Sequence, residues 1–486
     1  MNIRIVNRLM HCQFNFYTCA FALLMILYLM DFAAFAGDPS LPSPDHLQYP
    51  PLQFSIPKAE HNTLKNGIIL YGLEDRELSL VDVTVIVRMG TVNDPENMAG
   101  LAELTGRTMR VGGVDGMTGQ AVDAALDRIA AELSVSVNQD HAAFHMSVMR
   151  KDLGAGLDLL SKIITRPAFE EARVKLEKDL KIEDVHRIAD NPQHLCFREF
   201  GRLFYLGDPR GNLPTLSSIA SIQREDIQNF YHKFFFPGNM IIAVTGDISS
   251  TESVAAIGKY FESWHTEGIK PAVLPAPKPP HNGLYFILKD VPQAIIISGR
   301  LAPPKAGIDS YAFKILDFIL GGGGFRSRIF QEIRSNRGLA YTTGSFYNAR
   351  PTYGQFATYA FTKVASTTKV LSLIKSILAS ARKEPASQSE LQYSKESIRN
   401  SFIFSFTTAD QIAGQELMVY FDGLSEDYLE KYRYRIENVT MDDLKEAAGR
   451  YLADNQNVLT VVLGPEQVYQ DLQKQFGNIE RIEPKL

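Results

Sequence analysis

Two stretches decide the fold: "SIQREDIQNFYHKFFFPGNMIIAVTGD", Ser221 to Asp247, and "NVTMDDLKEAAGRYLADNQNVLTVVLGP", Asn438 to Pro465. Each opens with an acidic first turn (Glu225 and Asp226; Asp442 and Asp443) on an amphipathic helix. A turn rich in Pro, Gly and Asn follows, and an apolar β-branched run then reads as a strand. The two copies lie about 217 residues apart with a one-residue slip, the signature of a duplicated domain. Each copy closes one half of the chain.

Between them, "KPAVLPAPKPPHNG", Lys270 to Gly283, carries five prolines and no helical period, so it reads as an extended linker. The expected organisation is a first domain over 51–265, a linker over 266–283 and a second domain over 284–480. Alternating strands such as Ser79 to Gly90 and Gln293 to Ala302 mix with helical stretches such as Glu171 to Ala189 and Asp309 to Leu320. This order is not a strict βαβ alternation. It predicts an α+β fold, each domain a mainly antiparallel sheet with helices packed on it.

Composition is ordinary for a globular chain of 486 residues, with 45% hydrophobic and 22% charged residues and a net charge of -5, which excludes a basic nucleic-acid binder. Arg4 and Arg8 precede an apolar run from Phe14 to Met30 and then "AFAG", where Ala34 and Ala36 fit a signal-peptide cut before Gly37. The run also approaches the length of a membrane span, so an N-terminal anchor in the inner membrane is the alternative to cleavage of residues 1–36. Export follows from either. Cys12 and Cys19 lie in that segment, which leaves Cys196 alone in the mature chain, with neither a disulfide nor a cysteine metal cluster. An exported chain without disulfides suits a bacterial periplasm.

"LGGGGFRSRIFQEIRSNRGLAY", Leu320 to Tyr341, invites a phosphate-loop reading that residue identity rejects. No Gly-Lys-Ser/Thr follows Gly324, and a dinucleotide fingerprint from Gly321 needs glycine where Arg326 stands. The glycines read as a break between two helices, with Ser327 capping the second and Gly338 closing it. A glycine wall also lets a ligand approach the backbone closely.

The same residues carry a family resemblance. "GGGGFRSRIFQEIRSNRGLAYTTGSFY" is similar to the second-domain signature of the pitrilysin/insulinase family of zinc peptidases. Thr63 to Leu104 resembles the family's opening, and "FPGNMIIAVTGD" the end of its first domain. The likeness runs from about Pro51 to Leu463, and it implies the two-domain fold of mitochondrial processing peptidase. The family's zinc motif is His-x-x-Glu-His on a helix with a distant Glu as third ligand, the central Glu activating the metal-bound water.

Here the equivalent helix reads "AGLAELTGRTM". Glu103 stands at the first His position, Gly106 at the base and Arg107 at the second His. Asp184 takes the distant Glu position, with 76 residues between it and Arg107. The spacing survives and the chemistry does not, because arginine puts a permanent cation where the metal belongs and Gly106 has no side chain to act as a base. Glu103, Arg107 and Asp184 read instead as a salt-bridged patch, and Glu177, a second acidic position in active relatives, as a solvated or paired helix residue. His141 and His145 in "HAAFH" would make a metal pair on a helix, but the segment reads as a hairpin, where four residues span about 13 Å. No metal or cofactor is expected in this chain.

The resemblance assigns Arg334 and Tyr341 to an Arg/Tyr pair that contacts substrate opposite the zinc, with Gly323 and Gly324 in the wall beside them. Arginine donates to a peptide carbonyl or carboxylate, and a tyrosine hydroxyl stabilises an oxyanion. Without the resemblance, Arg334 is a cation near a helix C-terminus and Tyr341 a half-buried strand aromatic. The combination implies the non-zinc subunit of a heterodimeric metallopeptidase, inactive alone, whose partners are a zinc-bearing subunit and a peptide or unfolded polypeptide. A structural pseudo-enzyme and a stand-alone peptide-binding protein are the alternatives.

Overall fold

The repeated segments form the middle of two sheets. The computed structural model describes residues 54–452 and 457–486, so the expected leader, with Cys12 and Cys19, lies outside the described residues. The first half supplies β1 (Glu60–Thr63), β2 (Ile69–Glu74), β3 (Leu80–Val87), β4 (Glu132–Val137), β5 (Ala142–Met149) and β6 (Met240–Gly246). The second supplies β7 (Gly283–Leu288), β8 (Gln293–Ala302), β9 (Ala340–Ala349), β10 (Gly354–Lys363), β11 (Leu459–Gly464) and β12 (Glu480–Arg481). Spatial order is β1-β2-β6-β3-β5-β4 in one sheet and β12-β7-β11-β8-β10-β9 in the other.

Setting aside the outermost β1 and β12, both halves share one topology, in which the last strand enters between the first and the second. It runs parallel to the first, as β6 does to β2 and β11 to β7, while the neighbours on its other side are antiparallel. A strand in that place is covered on both faces. This accounts for its unbroken apolar sequence: β11 is buried throughout, and β6 at every position but Gly246. The helix before each, Arg224–Phe234 and Met441–Tyr451, is fixed by a carboxylate three residues past its cap. Asp226 accepts from the Gln223 N–H at 2.8 Å and Asp443 from the Thr440 N–H at 2.7 Å. The sheet of the second half begins at Gly283, the last residue of the expected linker, and ends at Arg481.

One face of the first sheet is covered by the first half's own helices, with Leu104, Leu160, Ile227 and Ile257 packed on Val83, Val85, Phe144 and Ile242. The opposite faces are covered by exchange. Helix Pro192–Phe204 of the first half lies on the second sheet, where Leu195, Cys196, Phe200 and Phe204 meet Ile295, Ile297, Leu459 and Val461. Helix Ala409–Phe421 of the second half lies on the first sheet, where Ala413, Leu417 and Phe421 meet Tyr71, Ile86, Ile241 and Ala243. These helices stand 217 positions apart (192 to 409, 204 to 421), the offset that also relates Arg224–Phe234 to Met441–Tyr451.

Polar contacts pin the exchanged helix of the second half. Arg88 donates to the Phe421 carbonyl at 2.7 Å, and Glu416 accepts from the Ala59 N–H at 3.2 Å. On the second sheet the Phe200 ring lies over Gly299, where an added Cβ would stand 2.6 Å from it. Full burial of each large apolar side chain contributes roughly 1.5–3 kcal/mol, so the exchange makes a large part of the core common to both halves. Phe200→Ala is expected to lower stability by about 3–5 kcal/mol and to shift one cooperative unfolding transition. Chemical denaturation followed by tryptophan fluorescence and circular dichroism checks this, and separate transitions for the two probes would contradict the shared core.

Candidate functional site

In the first half, helix Leu101–Val111 begins at Gly100, which adopts φ +103°. Asp94 closes its N-terminus by accepting from the Gly100 and Ala102 N–H groups, both at 2.7 Å. Burial pushes the Asp94 carboxyl up to about 7, against those two bonds. The helix then presents Glu103 and Arg107 towards helix Glu171–Ile188. Glu103 pairs with Lys181, and Arg107 reaches Asp184 at 3.4 Å and Glu177 at 3.9 Å.

Gly106 points the other way, onto edge strand β4. A Cβ there would stand 2.7 Å from Val137 Cγ2 and 3.3 Å from Val135 Cγ1, so the helix lies too close to the strand for any side chain at the base position. The residues present do not fit a zinc ion. Of the three ligand positions one is a guanidinium, one carboxylate is held by Lys181, and the other faces Arg107. Among the described residues no group of three or more His, Cys, Asp or Glu is arranged to hold a metal. Lys181 was missed in the sequence, although it lies four residues beyond Glu177 and three before Asp184, the spacing that places side chains on one helix face.

His141 and His145 are separately engaged. His141 bonds Asp140 at 2.7 Å, whereas His145, on β5, bonds Thr84 across the sheet at 3.0 Å. Cys196, on the exchanged helix of the first half, is buried against the second sheet, which raises its thiol pKa well above the usual range.

The glycine stretch of the second half is built differently from the expected pair of helices. Helix Ser310–Asp317 widens into a turn over Phe318–Gly322, in which the Gly323 N–H reaches back to the Phe318 carbonyl at 2.8 Å. Gly321 allows that turn to touch edge strand β9, since a Cβ there would stand 2.3 Å from the Ser345 nitrogen. Ser345 Oγ donates to Asp317 at 2.6 Å and ties the turn to the strand. Ser327 does not cap the next helical segment as expected, because its hydroxyl donates backwards to the Gly324 carbonyl at 2.7 Å. Gly338, at φ +61°, does close that segment, its N–H bonding the Arg334 carbonyl at 3.0 Å. Gly324 is also left-handed, at φ +61°, and an added Cβ would meet nothing within 4 Å, whereas one on Gly323 would stand 2.5 Å from the Phe318 carbonyl.

This frame brings Arg334 and Tyr341 together. The Arg334 guanidinium carbon lies 4.6 Å from the Tyr341 ring centre, 4.8 Å from that of Phe330 and 5.8 Å from that of Phe325. Among the described residues Arg334 has no acidic partner, in contrast to Arg328, which grips Glu390 through two bonds of 2.8 Å. Tyr341 is 74% exposed, not half-buried, and Phe325 is 71% exposed. The result is an unneutralised fork of N–H donors on an aromatic surface, beside the unpaired edge of β9. The surface sets N–H donors, an edge strand and exposed rings side by side. Phe325 and Phe330 were missed in the sequence because only the fold turns them to the same side as Arg334.

Asp317 is 4% exposed, and among the described residues no cation is bonded to it. Burial pushes its carboxyl up to about 6, against the Ser345 bond and the more distant Lys314. Between an ordinary carboxylate value and about 6 the native state binds this proton more tightly than the unfolded chain, so its stability contribution is full below that window and is lost as pH rises through about 6. Asp317→Asn is expected to match the parent near pH 4 and to be more stable by roughly 2 kcal/mol at pH 8. Urea denaturation at the two pH values checks this; a variant equally destabilised at both would contradict it.

Comparison with known proteins agrees with this geometry. Residues 73–212 match the family described as insulinase (peptidase family M16), and residues 221–398 match that described as peptidase M16 inactive domain. An uncharacterized zinc protease of Mycobacterium leprae is 25% identical over 370 residues, covering 74% of this chain and 81% of its own length. One from Rickettsia felis is 26% identical over 301 residues, covering 62% and 72%. Among solved structures, a peptidase M16 inactive domain from Pseudomonas fluorescens superposes with a TM-score of 0.78 at 23% identity, covering 84% of this chain and 98% of that one. A protease from Helicobacter pylori gives 0.75 at 21% identity, covering 85% and 100%. With the duplicated topology, the spacing of the degenerate motif and two family matches spanning most of both halves, this chain belongs to the insulinase (M16) peptidase family.

Proposed function

We propose that this chain is the exported, substrate-binding subunit of a heterodimeric metallopeptidase that acts on peptides, with the zinc held by a related partner subunit. One observation carries the reading. Arg334 is half-buried, has no acidic partner among the described residues and stacks on the exposed Tyr341, whereas Arg107, at the metal position, is committed to Asp184 and Glu177. The ring contacts of Arg334 stabilise the fold by only about 0.5–1 kcal/mol at such a site and leave the guanidinium without a counter-ion. It suits a site that waits for a carbonyl or carboxylate.

In the assembled pair Arg334 would hold the peptide main chain and Tyr341 would donate to the oxygen that becomes anionic as the peptide carbonyl is attacked. The peptide would pair along the free edge of β9. Bacterial export rests on the leader-like segment 1–36, with an uncleaved anchor as the variant of the same idea. Co-expression with a zinc-bearing relative and an assay of peptide cleavage tests the role. Arg334→Ala is expected to lower kcat/KM about 100-fold, and undiminished activity would overturn it.

The exposed Phe325 and Tyr341 also favour a second reading, in which the isolated chain captures peptides without cutting them. Peptide affinity of the lone chain, lost in Tyr341→Ala by calorimetry, would select it. No affinity and no partner-dependent cleavage would leave a structural pseudo-enzyme.

A further inference from the structure

The two halves also meet around a cleft that neither the Arg107 patch nor the Arg334 surface uses. It holds ≈ 120 Å³, with walls from the first half, from the second half and from linker residues 271–274. Its apolar lining includes Leu274, Pro351 and Phe421, and its charged lining includes Arg88, Arg210, Arg350, Asp140 and Asp422.

Most of these charges are already matched. Arg210 is held by Asp208 through contacts of 3.0 and 2.8 Å and donates to the Pro275 carbonyl at 2.8 Å. Asp422 accepts from Lys305 at 2.6 Å, and Asp140 from His141 at 2.7 Å. Arg88 gives one N–H to the Phe421 carbonyl and stacks on that ring at 4.4 Å, with burial lowering its pKa. The Arg350 side chain has no hydrogen bond or ion pair among the described residues. Arg88 also lies in the field of Asp140 and Asp422, and Arg350 in that of Asp140, but neither guanidinium bonds these carboxylates, so both keep spare N–H donors towards the cleft.

We propose that this cleft binds a small organic carboxylate, its charged end on Arg350 and Arg88 and its apolar body against Leu274, Pro351 and Phe421. Size sets the class. At ≈ 120 Å³ the cleft is somewhat smaller than an enclosed cavity of about 150 Å³ that holds benzene, but it is partly open to solvent, so it takes at most a single ring or a short aliphatic chain. Arginine is the side chain suited to such a ligand, because its fork matches the two carboxylate oxygens. A ligand touching both halves and the linker favours the assembled native chain over the unfolded one.

The test is thermal unfolding in sodium benzoate against sodium chloride of equal ionic strength, with benzamide as the uncharged isostere. Saturating benzoate is expected to raise Tm by about 2 °C or more, benzamide to leave it unchanged, and Arg350→Met to fold normally and lose the response. No shift with benzoate, an equal shift with benzamide, or an undiminished shift in Arg350→Met would overturn the proposal. None of these readouts depends on Arg334 or on a partner subunit.

Discussion

The exchange of helices between the halves is the constraint on which the rest of the structure depends. Each sheet has one face that its own half covers and one that it cannot, and the uncovered face is closed by the equivalent helix of the other half. A half on its own would expose Ile295, Ile297 and Val461, or Ile86 and Ile241, to water. The duplication is therefore an architectural requirement. It also fixes the geometry around the edges β4 and β9, which stand at corresponding places in the two sheets.

Each of these edge strands is packed against an earlier helical segment through a glycine. Gly106 sets helix Leu101–Val111 against Val135 and Val137, and Gly321 sets the glycine turn against Ser345. From this common plan the halves diverge in electrostatics. The first half has spent its charges on itself, with Glu103 on Lys181 and Arg107 on two carboxylates. The second leaves Arg334 without an anion and sets it among three rings, of which Phe325 and Tyr341 are exposed. Side chains that satisfy one another stabilise a surface only slightly, but they remove it from chemistry.

The fold was largely legible in the sequence because its signals are local. The acidic helix starts, the apolar runs of β6 and β11 and the prolines of the linker each report their own neighbourhood, and the 217-residue offset adds the duplication. The exchange was not legible. Leu195, Phe200 and Phe204 announce an apolar helix face, and periodicity cannot say which sheet receives it. The site divides in the same way. Arg107 and Gly106 exclude a metal by residue type alone, whereas the Lys181 pairing, the Asp317–Ser345 bond and the missing counter-ion at Arg334 depend on residues brought together by folding. Ser327 shows the limit of local rules, since a good capping residue at a good position turned its hydroxyl to the glycine turn.

The residues at the zinc positions of the first half do not fit a metal, and the second half carries the surface proposed to take peptides. The most direct measurement is the zinc content of the purified chain after exposure to zinc and removal of the unbound ion, read by atomic emission. The account predicts far less than one zinc per chain, with no change when Asp184 is replaced by Ala. One zinc per chain, released by that substitution, would contradict it.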